Sequence, residues 1–165
     1  MHKRLMLAAT VVVLGVAGLS IACSNDPTAP APVVFTATLN AANEKQANPI
    51  NSPATGTATL TLRGNDSLDI TVMATGLTAA AIASHIHVGG VAVSGGIITP
   101  FTLASAGVTT GTVVSQTIVL SQVTVGAQQV SGDSVKVLLN NGNGYVNVHT
   151  STNAGGEIRG QIARQ

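Results

Sequence analysis

Tryptophan is missing from this chain, and Phe35, Phe101 and Tyr145 are its only aromatic residues. Charged residues make up just 8% of it. A chain so poor in ionisable and aromatic groups has few ways to do chemistry. From residue 23 onward, five basic side chains (Lys45, Arg63, Lys136, Arg159, Arg164) stand against six acidic ones (Asp26, Glu44, Asp66, Asp69, Asp133, Glu157), a balance of −1. That balance argues against a nucleic-acid-binding surface. Cys23 is the single cysteine, so no disulfide can form within the chain. Gly155-Gly156 and Gly142-Asn143-Gly144 read as turn glycines rather than a phosphate loop, since neither leads into Lys and Ser/Thr at a strand-to-helix turn. No serine occupies a nucleophile elbow, and no repeat of ~20–50 residues is evident. The chain is therefore not expected to be an enzyme.

What is abundant is Val, Ile, Leu and Ala, with Thr, Ser, Asn and Gln for polarity and 18 glycines. That mixture suits strands joined by tight turns. Val33 to Leu39 alternates Phe35, Ala37 and Leu39 with Thr36 and Thr38. Thr55 to Arg63 sets Ala58, Leu60 and Leu62 against threonines, and Leu68 to Ala74 alternates Leu68, Ile70 and Val72 with Asp69, Thr71 and Met73. Gly64-Asn65-Asp66-Ser67 between them reads as a hairpin turn. Ile82 to Val88, Ile97 to Leu103, Thr112 to Leu120, Tyr145 to His149 and Glu157 to Ala163 complete the set. The expected fold class is all-β, an antiparallel β-sandwich or barrel over residues 33–165. Asp133 to Leu139 fits either a strand or a short helix. The helix has Asp133 as cap, Val135, Leu138 and Leu139 on one face and Gly142 as terminator, and it is slightly favoured.

The N-terminus has the layout of an export signal. His2-Lys3-Arg4 is basic, Leu5 to Ile21 is apolar, and Ala22-Cys23 follows. The apolar run is interrupted by Gly15, Gly18 and Ser20 and falls short of the ~20 residues that span a bilayer. Leu19-Ser20-Ile21-Ala22-Cys23 resembles the lipobox of bacterial lipoproteins, although Ser20 stands where Leu is usual. Residues 1–22 are thus expected to be removed and Cys23 to carry lipid; the alternative is an ordinary signal peptide followed by a stray cysteine. Residues 23–32 read as a linker, with three prolines between Ser24 and Pro32. An extended stretch of that kind would hold the domain ~25–28 Å from its anchor. The expected location is the cell envelope, lipid-anchored at the outer membrane or cell surface, or else secreted.

Beyond the signal segment only three histidines remain: His85, His87 and His149. In a strand, alternate side chains share a face. His85 and His87 therefore point one way, and Ile86 and Val88 the other. Tyr145, Asn147 and His149 likewise oppose Val146 and Val148. Two imidazoles ~6.6–6.8 Å apart along a strand can converge on one ion, and His149 joins them if its strand is a neighbour. Imidazole donors suit copper or zinc. The other reading is structural: the rings bond to loop carbonyls and to Asn147 and pin Gly-rich loops to the sheet. Both readings require the three rings to meet in one small site. Glu157 and Arg159 are expected to share a strand face and form a mutual or cross-strand ion pair, and Tyr145 to pack with its hydroxyl bonded.

At these motifs the chain resembles the CHRD family, named from the extracellular protein chordin and found in many microbial secreted proteins. The resemblance is carried by Phe35-Thr36-Ala37-Thr38-Leu39, Asn43-Glu44, Ser52-Pro53-Ala54-Thr55-Gly56-Thr57-Ala58, His85-Ile86-His87, Tyr145-Val146-Asn147-Val148-His149-Thr150 and Gly156-Glu157-Ile158-Arg159-Gly160-Gln161. Two loops depart from the family pattern: Lys45-Gln46 stands where a Pro-rich step is common, and Val88-Gly89-Gly90 where Gly-Pro is common. The resemblance implies a β-sandwich-like extracytoplasmic domain and supplies no reaction. Two functions remain open. One is a non-enzymatic, membrane-tethered binding or structural module for an unknown extracellular protein or envelope ligand. The other is a small copper or zinc protein, a carrier or redox centre built on the histidines.

Overall fold

The computed structural model describes residues 30–64 and 66–165. Cys23, the expected export signal and most of the expected linker lie outside the described residues.

Threonine-rich alternation builds the first three strands, β1 (Val33–Asn40), β2 (Thr55–Leu62) and β3 (Ser67–Thr75), as an antiparallel meander. Phe35 faces Leu60, and Leu60 faces Ile70, so large apolar side chains stack across the strands on one side. Thr36, Thr59 and Thr71 line up on the other, where β-branched side chains fit the pleat. The β2–β3 turn closes as expected: the Arg63 amide donates to the Ser67 carbonyl at 2.9 Å, and Asp66 takes φ 62°, a left-handed setting that Asp tolerates.

The remaining strands are β4 (Ala81–Val88), β5 (Ile97–Pro100), β6 (Gly111–Val119), β7 (Thr124–Val125), β8 (Gln128–Gln129), β9 (Gly144–Thr150), β10 (Ile158–Gln161) and β11 (Ala163–Arg164). Apart from the small β7–β8 hairpin they join one antiparallel sheet in the order β5-β4-β9-β10-β1-β2-β3-β6, with β11 also on β1. Beyond β5 the chain crosses between the sheet's two edges. The Phe101 amide donates to Ser84 of β4 at 3.1 Å, and the Ala104 amide to Val113 of β6 at 2.8 Å. The fold is therefore all-β, a single sheet curled into a half-barrel around Phe35, Leu39, Leu60, Leu68, Ile70, Ile86, Val146, Val148 and Ile158, all buried. Among the described residues no helix is long and apolar enough to cross a membrane.

The ambiguous segment is a helix, α1 (Gly132–Asn140), and it buries Val135, Leu138 and Leu139. Its N-cap is Ser131, not Asp133; Asp133 lies in the first turn, where a negative charge still suits the helix dipole. Gly142 ends it at φ 65°. Other boundaries differ from the periodicity. The strand begun at Ile97 stops at Pro100, because Pro has no amide for the ladder. The last strand splits at Ile162, whose amide turns to the Gly144 carbonyl at 2.9 Å. Val88, on the same side of the strand as the buried Ile86, is 46% exposed because it stands at the end of β4.

Candidate functional site

The site grows from the adjacency of β4, β9 and β10. Register sets His87 opposite Tyr145 and His85 opposite Asn147. On the other flank of β9, Arg159 faces Asn147 and Gln161 faces Tyr145. Because β alternation is kept across all three strands, one face of the sheet gathers His85, His87, Tyr145, Asn147, His149, Arg159 and Gln161. Ile86, Val146, Val148 and Ile158 take the opposite face and enter the core.

The structure brings the three histidines together. Ring centroids are 4.9 Å apart for His85 and His149, 5.4 Å for His85 and His87, and 6.1 Å for His87 and His149. One ring nitrogen from each lies within 4.8 Å of the others. His85 Nδ1 is 3.1 Å from His149 Nε2, and Asn147 Oδ1 is 2.9 Å from that same nitrogen. The Nδ1 atoms of His87 and His149 lie 2.9 Å from the carbonyls of Gly95 and Ala154. Those carbonyls can only accept, so each of these rings carries its proton on Nδ1. Among the described residues, His87 Nε2 is buried with no hydrogen-bond partner. Burial lowers the pKa of all three rings. For His85, with the other two histidines adding to the effect, it falls to about 4; for His87 and His149 the carbonyl bonds oppose it, joined at His87 by the Asn147 side chain. The cluster is therefore a group of neutral imidazoles at neutral pH.

Beside it runs a stacked column. The Tyr145 ring is parallel to His87 at 4.9 Å, and the Arg159 guanidinium lies 3.4 Å from the Tyr145 centroid on the sheet's polar face. The loop after β4 is bonded to this column. Arg159 Nη2 donates to the Gly90 carbonyl at 2.8 Å, Gln161 Nε2 to that of Gly89 at 3.0 Å, and the Gly95 amide to the Tyr145 hydroxyl at 3.1 Å.

Two carboxylates flank the site and behave oppositely. Glu157 does not pair with Arg159, contrary to the expected ion pair. It precedes β10, and the turn at Gly156 (φ 124°) aims it away from the polar face. There it accepts hydrogen bonds from Ser52 Oγ (2.7 Å), the Thr78 amide (2.8 Å), Thr78 Oγ1 (2.8 Å) and Thr150 Oγ1 (2.6 Å). Burial alone would raise its pKa, but these donors hold it down at about 2. Glu44, which the sequence marks only as half of the Asn43-Glu44 motif, comes from the loop after β1, and its Oε1 is buried with no partner among the described residues. Burial pushes its pKa up to about 7 against the pull of Arg159, Gln46 and Asn147. A side chain on Gly156 would fall 2.5 Å from Glu44 Oε1, so this glycine makes room for the carboxyl. The signal available for Glu44 is its rarity, as one of six acids, within that motif.

A family model described as the CHRD domain matches residues 35–162, from the middle of β1 to the end of the last buried segment. Neither the curated proteins nor the solved structures compared with the chain include a match. The matched span is most of the chain, and the protein belongs to the CHRD domain family.

Proposed function

We propose that this chain is a non-enzymatic binding module, tethered at the cell envelope through lipid on Cys23, that presents the polar face of β4, β9 and β10 to its ligand. The observation that carries the reading is the concentration of chemistry-bearing groups. A chain with few charges spends Arg159, three histidines and its only tyrosine on one face, with Glu44 beside it. Side-chain bonds to loop carbonyls make that face rigid, as a binding surface requires. Membership of a binding-type domain family supports the absence of catalysis. The export-signal layout, Cys23 and the proline-rich spacer support the tether. Each buried lipid methylene adds about 0.8 kcal/mol to membrane affinity, so several acyl chains anchor nearly permanently. Expression of the full chain in a bacterium, followed by fractionation and intact mass, tests the tether. Cys23→Ser is expected to release the protein or leave it unprocessed; equal membrane retention at the same processed mass would refute it.

A second reading, in which the ligand of this face is a copper or zinc ion, is favoured by one observation: three ring nitrogens within 4.8 Å of one another.

A further inference from the structure

We infer that His87 Nε2, His149 Nε2 and His85 Nδ1 form a three-imidazole site for one copper or zinc ion, copper binding the tighter. This deepens the reading of the polar face as a binding face by naming the ligand class and the donor atoms. What decides the matter is which nitrogens are already committed. Backbone carbonyls of Gly95 and Ala154 hold the Nδ1 protons of His87 and His149, each at 2.9 Å. That is the outer-shell arrangement that fixes tautomer and ring direction in metal-binding histidines. Both Nε2 atoms then carry lone pairs directed into the cluster. A purely structural role leaves that of His87 unexplained: this nitrogen is buried without a hydrogen bond of good geometry among the described residues, although the Asn147 side chain is near enough to draw the ring's pKa up. At His149 the Nε2 faces polar groups of the cluster, with the Asn147 side-chain amide 2.9 Å away and His85 Nδ1 3.1 Å away.

The third donor is His85 Nδ1, 3.1 Å from His149 Nε2. Two nitrogens on one ion with bonds of ~2.0–2.1 Å are separated by ~3.3–3.6 Å at trigonal or tetrahedral angles. His85 is the partly exposed member of the set, and with one nitrogen of each ring within 4.8 Å of the others, adjustments of about an ångström in the three side chains bring them onto one centre. On binding, its proton leaves Nδ1 for its own Nε2, so the ring stays neutral and no proton is released. Neutral nitrogen donors without a thiolate suit Cu²⁺ and Zn²⁺, and the usual order of divalent affinities places copper first. Mg²⁺ and Ca²⁺, which require oxygen ligands, are excluded.

Calorimetric titration of the metal-stripped full chain with CuCl2, ZnCl2 and MgCl2 tests the assignment. Expected are one Cu²⁺ or one Zn²⁺ per chain, no Mg²⁺, and a weakening of at least ~100-fold in His87→Ala and in His149→Ala, beyond the ~10–100-fold typical of losing an outer-shell group. Ring-nitrogen NMR of the unaltered chain is independent of any folding defect in the variants. Zn²⁺ should shift Nε2 of His87 and His149 and Nδ1 of His85, while Nδ1 of the first two keeps its proton. Cys23→Ser should bind the ion unchanged, so failure of the tether shows in fractionation and failure of the site in titration. The inference is overturned by no Cu²⁺ or Zn²⁺ binding, by binding that survives loss of His87 and His149, or by unshifted ring nitrogens.

Discussion

Replacing Glu157 with Gln tests whether the carboxylate, rather than its shape alone, holds the far side of the site together. The substitution keeps the volume but removes the charge and puts an amide donor among groups that are themselves donors. The magnitude follows from ionisation. Holding the carboxyl at about 2 instead of its ordinary 4.5 is ~2.5 units, and at 1.36 kcal/mol per unit this gives ~3 kcal/mol. Because the folded-state pKa is depressed, the contribution is complete above about pH 4.5 and disappears as pH falls through about 2. For a domain of ~130 residues, unfolding entropy of ~2.1 cal/mol/K per residue converts ~3 kcal/mol into a melting-temperature loss of ~10 °C. Scanning calorimetry at pH 7, with urea unfolding repeated from pH 7 down to 2, is the assay. A difference from the unaltered chain below ~1 kcal/mol at pH 7, or one that does not shrink towards pH 2, would refute the reasoning.

Glu44→Gln should act in the opposite direction. The raised pKa of Glu44 means that the unfolded chain ionises first, so stability falls between pH 4.5 and about 7. Removing the acid should stabilise by ~2 kcal/mol at pH 8, discounted for a half-buried group, and leave stability at pH 4 unchanged; urea midpoints at the two pH values check it. Gly160→Ala should cost ~1–3 kcal/mol in the same assay, because a Cβ there would sit 2.5 Å from the Thr38 carbonyl oxygen of the neighbouring strand.

Period-two alternation made the strands legible, since Phe35, Ala37 and Leu39 can be buried together only in an extended chain. The shared face of His85 and His87, and that of Tyr145, Asn147 and His149, were legible for the same reason. Their meeting depended on β4 pairing with β9, about sixty residues later, and alternation within a strand says nothing about which strand lies beside it. The failures have local causes. Alternation puts Glu157 on the face of Arg159 only if the strand includes both, and β10 begins at Ile158. Asp133 and Ser131 are both residue types that cap helices, and only backbone geometry chooses Ser131. The β7–β8 hairpin around Gly126 has strands of two residues, too short for any periodicity.

The misplaced carboxylate also explains how three basic rings can stay neutral side by side. Had Glu157 faced the polar side with Arg159, its charge would have stood near His149 and favoured an imidazolium there. A protonated ring has no lone pair to offer. Instead Glu157 is drawn by Ser52, Thr78 and Thr150 to the other side of the sheet. On the histidine side burial is the main force against protonation of His87 and Arg159 adds to it, while the ionisation of the flanking Glu44 is itself pushed up to about 7. The column of His87, Tyr145 and Arg159 therefore does two things. It buries a guanidinium that the loop carbonyl of Gly90 helps to solvate, and it keeps a positive charge where a proton on His87 would be repelled. An incoming metal ion meets that same repulsion, yet it gains three nitrogen bonds where a proton gains one. The proposed site would thus discriminate against protons while offering its lone pairs to an ion that binds all three.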